Sequence, residues 1–318
     1  MSSLAVAPSA ASPGPSGVPA SERPPKNRIR RDWRGWMFVG PFVVFFFIAF
    51  IAPLIYAIIL SFFQPQMVWG VSQGEQFVGF ANYVKLFQDP NFWSGLVRVS
   101  LFLLIQVPIM LGISTFLALA IDSGRLYGAS FFRVSVFLPY AIPAVVATLM
   151  WGFLYGNQYG IMASVNEAFG TSVNLFSARL VLVSIGNIVT WEFIGYNMLI
   201  FYSALKTIPV SLYEAARIDG ANEWQVVRAI KLPAIRGALM VALIFSIIGS
   251  FQLFNEPNVL QQMSGNTITT YYTPNFYAFH LAFEANNPNY SAALAIVMGL
   301  VTVAIAYVVQ LRGSKGMG

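Results

Sequence analysis

The sequence predicts an all-α, polytopic membrane protein with six transmembrane helices and both termini in the cytoplasm. The first observation is composition: 57% of the residues are hydrophobic, 9% are charged, and the mean hydropathy is +0.66. Soluble domains carry about 25% charged residues. The second observation is a series of long apolar stretches, and the third is the one-sided placement of basic residues between them.

Six apolar stretches are each long enough to cross roughly 30 Å of hydrocarbon as a helix. Helices are expected because a backbone in lipid must satisfy its own hydrogen bonds. The first stretch is too long for the apolar region of a signal peptide, so we expect an uncleaved span. The stretches lie at about residues 36–63, 94–121, 130–155, 178–204, 234–256 and 291–311.

Two regions are expected along the chain. Residues 1–33 are rich in Ser, Ala, Pro and Gly, a composition that predicts a disordered, basic cytoplasmic tail. Residues 34–318 are predicted to form the transmembrane domain. All but three of the 18 Lys and Arg residues fall on the side of the N-terminus, the exceptions being Lys85, Arg98 and Arg179. This asymmetry follows the positive-inside rule and gives the predicted orientation.

Two loops on the predicted outer side are long and rich in aromatic residues. They cover residues 64–93 and 257–290. Anchoring at the membrane interface accounts for most such side chains, although loops of this length also suit contact with a partner.

Several classes of chemistry are excluded by residue content. Cysteine is absent, His280 is the single histidine, and no GxxxxGK[ST] pattern occurs. These absences exclude thiolate and multi-histidine metal sites, cysteine nucleophiles and a P-loop for ATP. The net charge of +6 is explained by the membrane topology, so no nucleic-acid partner is expected.

A polar segment at residues 206–236 separates the fourth and fifth apolar stretches. Pro209 suits the first turn of a helix that Ser211 is expected to cap, and Gly220 permits a left-handed turn. A second short helix is expected over residues 222–230, ended by Pro233. On composition alone, a surface that docks a partner and an amphipathic hairpin that rests on lipid headgroups are equally good explanations.

The motif in this segment favours the docking surface. It reads EAARIDGA from Glu214 to Ala221, followed by IKLP from Ile230 to Pro233. The pattern closely resembles the EAA loop of ABC-importer permeases, which forms a coupling helix in a cleft of the cytoplasmic ATPase subunit. Val227 departs from the pattern, which usually has Phe there. By this resemblance the ATPase-coupling residues are Glu214, Ala215, Ala216, Asp219, Gly220 and Ala221.

The resemblance covers roughly residues 36–312 and narrows to sugar permeases of the maltose-transporter type. It rests on FANY from Phe80, on LPYAIP from Leu138, and on the position of Trp191 before Ile208. The sequence MSGN at residues 263–266 departs from the Thr-x-Gly-Gly-Pro often found there.

The resemblance implies the type I ABC importer permease fold in the cytoplasmic membrane of a bacterium. The implied cargo is a sugar or small oligosaccharide. The implied partners are a second homologous permease, a cytoplasmic ATPase dimer and an extracytoplasmic solute-binding protein. ATP and Mg would bind to the ATPase, so no cofactor, catalytic residue or metal site is expected in this chain. A non-sugar solute, such as a glycerol-phosphate compound, is an alternative cargo.

Glu192 lies near the middle of the fourth stretch and is the first candidate for substrate contact. An ionisable residue in a membrane span is costly unless it faces water or a partner. Three explanations are open: a sugar contact, a structural hydrogen bond to Tyr140 or Asn187, and a proton relay. Alignment through Trp191 puts Glu192 at a position that lines the sugar site in maltose-type permeases.

Other polar and aromatic residues suit the same site. Tyr196 follows Glu192 on one helix face, and the fifth stretch contains a polar patch that also includes Glu256. A sugar needs hydrogen-bonding groups beside an aromatic face, although each residue alone is equally explained by helix–helix contact. The predicted substrate-binding residues are Tyr140, Glu192, Tyr196, Asn197, Ser250, Gln252 and Asn255.

Two other functions are open. A proton-coupled secondary transporter would use Glu192 as its proton site but would leave the motif at 214–221 unexplained. An intramembrane enzyme would need a cluster of His, Cys or carboxylates, and the carboxylates here are isolated in the sequence.

Overall fold

The structure is a computed structural model that describes residues 34–68 and 71–315. By length and composition, five helices in this part of the chain are able to cross a membrane, or six if one bent pair counts as a single span. The predicted tail at residues 1–33 lies outside the described residues. Contacts divide the chain into two units, Met1–Ala52 and Pro53–Gly318.

The helices account for most of the described chain. In chain order they are α1 Arg34–Phe46, α2 Ala52–Leu60, α3 Ala81–Gln88, α4 Pro90–Asp122, α5 Ala129–Phe137, α6 Ala144–Tyr155, α7 Ile161–Phe169, α8 Val181–Leu205, α9 Val210–Ile218, α10 Glu223–Val226, α11 Leu232–Ala234, α12 Arg236–Phe251, α13 Asn255–Gln261, α14 Pro274–Phe283 and α15 Pro288–Lys315.

The helical stretch that begins with α1 contains one π-helical segment. This segment, Phe47–Ile51, lies between α1 and α2. The rings of Phe42, Phe46 and Phe50 stack in series at centroid distances of 5.9 and 5.3 Å. Their spacing of four residues puts all three on one helix face.

A β-hairpin follows the first span, where the sequence predicts only a loop. Strand β1 Phe63–Val68 pairs antiparallel with β2 Val71–Phe77. Asn82 fixes the hairpin from the next helix, since its Nδ2 donates to the carbonyls of Ser61 and Phe63 at 2.7 and 2.9 Å. The loop predicted at 64–93 therefore contains a hairpin and the helix α3, which the sequence analysis did not indicate. Tertiary hydrogen bonds of this kind leave no periodic signal in the sequence.

The third span is bent rather than straight. Helices α5 and α6 meet at 98° across the 3₁₀ segment Leu138–Ala141. Pro143 lacks an N–H donor and disfavours helical geometry at Ile142, whose backbone is extended. The continuous span predicted at 130–155 is thus broken at its proline-rich motif.

Helices α4 and α8 pack closely along their lengths. Ser114 Oγ donates to the carbonyl of Ile194 at 3.0 Å. Gly186 on α8 faces the Gln106 and Phe102 side chains, so a Cβ there would lie at ordinary contact distance. The two helices share a buried cluster that includes Val107, Ala118, Met198, Phe201 and Leu205.

The fifth span is interrupted near its end. Helix α12 ends at Phe251 and α13 begins at Asn255, so Gln252, Leu253 and Phe254 lie between two helices. The sequence predicts one helix through residue 256. Thr273 Oγ1 donates to the Leu253 carbonyl at 2.8 Å and satisfies one acceptor that the break releases.

The second long loop is also structured. It contains most of α13 and the ten-residue helix α14, which starts at Pro274 with Thr273 as its N-cap. Helix α14 packs against α15 in a cluster that includes Ala278, Leu281, Leu294 and Val297.

Candidate functional site

A cavity of about 440 Å³ lies among α4, α8, the end of α12 and the start of α13, with the bent third span contributing to its wall. It is hereafter the central cavity. All of the substrate-binding residues predicted from the sequence line it: Tyr140, Glu192, Tyr196, Asn197, Ser250, Gln252 and Asn255. They come from three separate spans and meet at one place.

The aromatic part of the lining is built around Tyr140. Its ring stacks on Tyr196 with centroids 4.7 Å apart and planes 20° apart, and it meets Phe193 edge-on at 5.7 Å. Gly195 allows this close approach, because a Cβ there would overlap the backbone carbonyl of Val136. A stacked, half-exposed pair of tyrosines is a flat surface of the kind on which sugar rings pack.

Glu192 is the single acidic residue of α8, which contains no Lys, Arg or His. The residue is 5% exposed, and its Oε2 atom has no hydrogen-bond partner among the described residues. Within the described residues, no hydrogen bond joins it to Tyr140 or Asn187; Nδ2 of Asn187 donates to Tyr155 Oη at 2.7 Å instead. The structural hydrogen bond considered for Glu192 is therefore not formed.

The interruption between α12 and α13 supplies the opposite side of the cavity. The Gln252 and Asn255 side chains are exposed, while Ser250 Oγ is already bonded to the Ser246 carbonyl at 2.8 Å. Asn275 Nδ2 donates to the Gln252 carbonyl at 2.9 Å and holds the interruption in place. The helix stops here, and the Gln252 and Asn255 side chains on either side of the break both line the cavity.

Asn197 is buried on α8, and its amide is partly used within its own helix. Its Nδ2 donates to the Phe193 carbonyl at 3.0 Å. The Oδ1 atom is the part that remains for other contacts.

The lining also contains residues outside the predicted set, among them Glu256, Phe254 and Gln106. Glu256 is 6% exposed in the first turn of α13, and Phe254 lies beside it on the wall. Gln106 on α4 donates to Thr190 Oγ1 at 3.2 Å. A lone glutamine inside an apolar stretch is the sequence signal that could have indicated Gln106.

The polar segment after α8 forms the predicted helix–turn–helix. Helix α9 is followed by Gly220 at φ 74°, the left-handed turn expected there, and α10 begins with a capping box between Asn222 and Gln225. We call α9, α10 and the turn between them the coupling hairpin. Glu214, Ala215, Asp219 and Gly220 are exposed, whereas Ala216 and Ala221 are half-buried.

Two details of the hairpin prediction are wrong. Ser211 lies within α9, whose N-cap is Pro209, so it does not cap the helix. Pro233 does not end the second helix either, because it sits in the first turn of α11 and follows a π-helical segment, Val227–Lys231. The interruption comes at Ile235, before α12.

The coupling hairpin is tied to the helix ends by ion pairs that the sequence did not indicate. Asp122 at the end of α4 lies 2.8 Å from Nζ of Lys206 and 2.8 Å from Nζ of Lys231. Arg125 pairs with Glu223 of α10 at 3.1 Å, and both of these side chains are exposed. The Lys231 ammonium also lies 5.5 Å from the Tyr213 ring centre on α9.

These contacts alter the protonation of groups beside the hairpin. The hydrogen bond from Lys206 to the Asp122 carboxylate raises the pKa of Lys206, because it stabilises the charged ammonium. Burial raises the pKa of Tyr213, and the nearby Asp122 charge adds to this effect.

Comparison with known families gives one match over most of the chain. The sequence pattern of the family described as "Binding-protein-dependent transport system inner membrane component" matches residues 110–312. This range contains the central cavity's α8 and α12–α13 walls together with the whole coupling hairpin.

Individual relatives agree with this match. The lactose transport system permease protein LacF of Rhizobium radiobacter is 27% identical, with 87% of this chain and 92% of that protein covered. The diacetylchitobiose uptake system permease protein NgcF of Streptomyces coelicolor is 30% identical, with 84% of this chain and 82% of that protein covered.

A solved structure has the same fold. In the crystal structure of a bacterial ABC transporter involved in the import of the acidic polysaccharide alginate, one chain matches with a TM-score of 0.78 and 22% identity. The match covers 90% of this chain and 97% of that chain. The predicted all-α membrane fold is confirmed by this likeness, while the orientation of the termini stays a prediction.

Proposed function

This chain belongs to the family of binding-protein-dependent transport system inner membrane components, and from that membership we propose that it carries a sugar or small oligosaccharide across the membrane. It is a multi-pass protein of the cytoplasmic membrane and the non-catalytic permease subunit of an ABC importer. The cargo and the roles of individual residues are the proposed part.

The central cavity is the observation that carries the proposal. It combines a stacked tyrosine pair with carboxyl, amide and hydroxyl groups from α8, α12 and α13. Sugar binding needs an apolar ring face and several hydrogen-bonding groups at fixed positions, and this lining offers both. The half-buried tyrosines would pack against sugar rings while Glu192, Gln252 and Asn255 bond to hydroxyl groups.

The names of the relatives support the same cargo class. Lactose and diacetylchitobiose, named for two relatives, are both disaccharides. The departure from the maltose-type pattern at residues 263–266 lies outside the residues that line the central cavity.

The coupling hairpin is the proposed contact with the ATPase. Its docking surface would consist of Glu214, Ala215, Ala216, Asp219, Gly220 and Ala221. The small side chains allow close approach of a partner backbone, and the exposed Ile218 and Trp224, at 86% and 68%, lie on the same hairpin and would also be covered.

The remaining proposed partners take part in the transport cycle. A second homologous permease would close the pathway, and an extracytoplasmic binding protein would deliver the sugar. ATP and Mg would bind between two ATPase subunits, whose closure would move the coupling hairpins together and reverse the side to which the cavity opens. This chain would supply the pathway and the mechanical link.

Transport by the reconstituted complex tests the proposal. The chain with its partner permease and ATPase is placed in proteoliposomes with the binding protein and a radiolabelled disaccharide. We expect uptake that requires hydrolysable ATP and persists when an uncoupler removes the proton gradient. Uptake that continues without ATP and stops with the uncoupler would instead support the proton-coupled transporter in which Glu192 carries the proton.

A ligand screen of the cognate binding protein tests the cargo class separately. We expect stabilisation by a sugar or short oligosaccharide in a thermal-shift assay. Stabilisation by glycerol-phosphate compounds and by no saccharide would contradict the proposed cargo while leaving the importer function intact.

A further inference from the structure

The described lining of the central cavity carries two acidic side chains and no basic one. Glu192 on α8 and Glu256 on α13 both line it, and no Lys, Arg or His is among the lining residues that the structure describes. Both residues are largely buried, at 5% and 6% exposure. The charged groups of the lining are therefore all of one sign.

Glu192 supplies an independent sign that the cavity wall can bond to a solute. Its Oε2 atom is buried at the cavity and has no hydrogen-bond partner. Buried polar atoms are nearly always hydrogen-bonded, so an unpaired one in a cavity wall indicates a position where a solute group can bond. A hydroxyl or amine of the solute would supply the missing donor to a carboxylate oxygen.

Two helix starts border the central cavity, and neither brings a basic side chain: α13 begins at Asn255, and α6 begins at Ala144 without an acidic residue in its first turn, which leaves about half a positive charge there. Helix N-termini attract anions through their free N–H groups. Helix α13 begins at the cavity, but Glu256 lies in its first turn and already complements that end of the helix with a carboxyl group. An anionic solute would meet this carboxyl group first.

Resting on the proposed saccharide function, we infer that the central cavity accepts neutral or amine-bearing saccharides and rejects saccharides with a carboxylate, sulfonate or phosphate group. A neutral sugar donates hydroxyl hydrogens to Glu192 and Glu256, and an amine adds an ion pair. An anion loses its hydration without gaining a cation and faces like charges.

The same physical argument disfavours a glycerol-phosphate cargo. Phosphate recognition in proteins relies on Arg or Lys side chains or on free backbone N–H groups. The described lining offers none of the basic side chains, and one of the two helix starts that border it, that of α13, has a carboxyl group in its first turn.

Three disaccharides of equal ring number test the inference in the intact membrane complex. The permease pair with its ATPase is held in lipid nanodiscs without the binding protein, so that the substrate selectivity of the binding protein does not affect the result. Saturation-transfer NMR then measures binding of cellobiose, of the β-1,4 disaccharide of glucosamine, and of cellobiouronic acid. We expect the first two to bind at least about tenfold more tightly than the uronate, because repulsion between the uronate and the carboxylates of the cavity lowers the affinity of the uronate.

Glu192→Gln and Glu256→Gln test whether these two residues are the cause. Each substitution keeps the shape of the side chain and removes the acidic group. We expect the ratio of neutral to uronate affinity to fall towards one in either variant. Glu167→Gln is the matched control, because it removes an exposed carboxylate on α7 that does not line the cavity; it should keep the wild-type ratio. Copurification of the ATPase shows that each variant is assembled.

The outcomes separate the two levels of the argument. A uronate that binds as tightly as cellobiose to the wild type would overturn the charge inference and leave the saccharide function standing. A ratio unchanged in both Gln variants would overturn the assignment to Glu192 and Glu256. If none of the three disaccharides binds, the inference that the cavity accepts neutral or amine-bearing saccharides is overturned, whereas the saccharide function is tested separately by the ligand screen of the binding protein.

Discussion

Asp122 and Lys231 form an ion pair that joins the end of α4 to the segment after the coupling hairpin. The Oδ2 and Nζ atoms are 2.8 Å apart, and each side chain is 7% exposed. Oδ1 of the same carboxylate lies 2.8 Å from Nζ of Lys206, which precedes the hairpin. One carboxylate therefore holds the chain both before and after the coupling hairpin, so force on the hairpin can pass to the end of α4.

Asp122→Asn should destabilise the protein and weaken coupling. The substitution leaves the Lys231 ammonium buried without its counter-charge, a change that typically costs about 3–5 kcal/mol. We expect a lower thermal unfolding midpoint of the purified complex and reduced stimulation of its ATPase by the loaded binding protein.

Arg125→Gln is the control for this ion pair. It breaks the contact with Glu223, in which both side chains are exposed, at 74% and 56%. Exposed pairs contribute about 0–1 kcal/mol. Equal losses of stability in the two variants would contradict a special role for the carboxylate of Asp122.

Gly220→Pro should uncouple transport without preventing membrane insertion. Gly220 has φ 74° and its N–H donates to the Arg217 carbonyl at 3.1 Å; proline fixes φ near −65° and has no N–H. We expect loss of uptake and of substrate-stimulated ATPase activity, with normal amounts of protein in the membrane. Asp219→Lys, which reverses a charge on the same exposed turn, should have the same effect.

Gly170→Pro is the control for Gly220→Pro, because it also replaces a glycine of positive φ and removes a backbone N–H donor. Gly170 has φ 61° and donates to the Glu167 carbonyl at 3.4 Å, but it ends α7, outside the coupling hairpin. Its uptake and ATPase stimulation should be retained. Normal stimulation in Gly220→Pro would refute the docking role of the hairpin.

Glu192→Leu should impair transport while leaving stability equal or greater. A buried carboxyl oxygen without a partner is costly, so an apolar side chain relieves that penalty. A solute, however, loses a hydrogen bond to a charged group, which is worth roughly 1.5–3 kcal/mol, or about tenfold or more in KM for uptake. Thermal unfolding and uptake kinetics measure the two effects on the same preparation.

Ser114→Ala should give the opposite pattern. It removes the bond from Ser114 Oγ to the Ile194 carbonyl between α4 and α8, and such bonds in membranes contribute about 0.6 kcal/mol. Stability should fall slightly with KM unchanged. A Glu192→Leu protein with unaltered uptake kinetics would show that this residue makes no contact with the cargo.

Gly195→Ala should disturb the aromatic wall of the central cavity. The new Cβ would overlap the carbonyl of Val136, and backbone cannot yield as a flexible side chain can. Overpacking of this kind costs about 1–3 kcal/mol, and moving this segment displaces Tyr140 from Tyr196. We expect reduced stability and weaker binding of cellobiose in the NMR assay.

Gly186→Ala is the comparison on the same helix. Its Cβ would lie 3.6 Å from Gln106 Cγ, an ordinary contact. Normal stability and binding are expected. If Gly195→Ala were tolerated equally well, the close approach of α8 to the third span would not be needed for the site.

Local signals predicted the coupling hairpin in outline but not its anchoring. Gly220 indicates a left-handed turn because few other residues adopt positive φ, and the structure confirms that turn. The motif at 214–221 gave the position of the hairpin. The partners of Asp122 lie far from it in the chain, so nothing near Asp122 in the sequence indicates either lysine.

The candidate substrate residues were chosen by polarity within apolar spans, and their meeting at one cavity required the fold. Glu192 and Gln252 are anomalous in their stretches, which is a signal that a single sequence contains. Gln106 carries a comparable signal that the sequence analysis missed, and Glu256 belongs to the polar patch of the fifth stretch without being among the predicted site residues. Whether two such residues face each other depends on the rotation of each helix and on the interruption after Phe251, neither of which local periodicity determines.

The sequence by itself determined the membrane class, the family and the approximate spans, because apolar length and backbone hydrogen bonding in lipid act on consecutive residues. The tertiary structure alone decided the interruption between α12 and α13, the hairpin held by Asn82, and the carboxylate of Asp122 between two lysines. These features depend on contacts between segments that are distant in the chain. The energy of such a contact varies with the distance between its atoms in space, which the sequence does not specify.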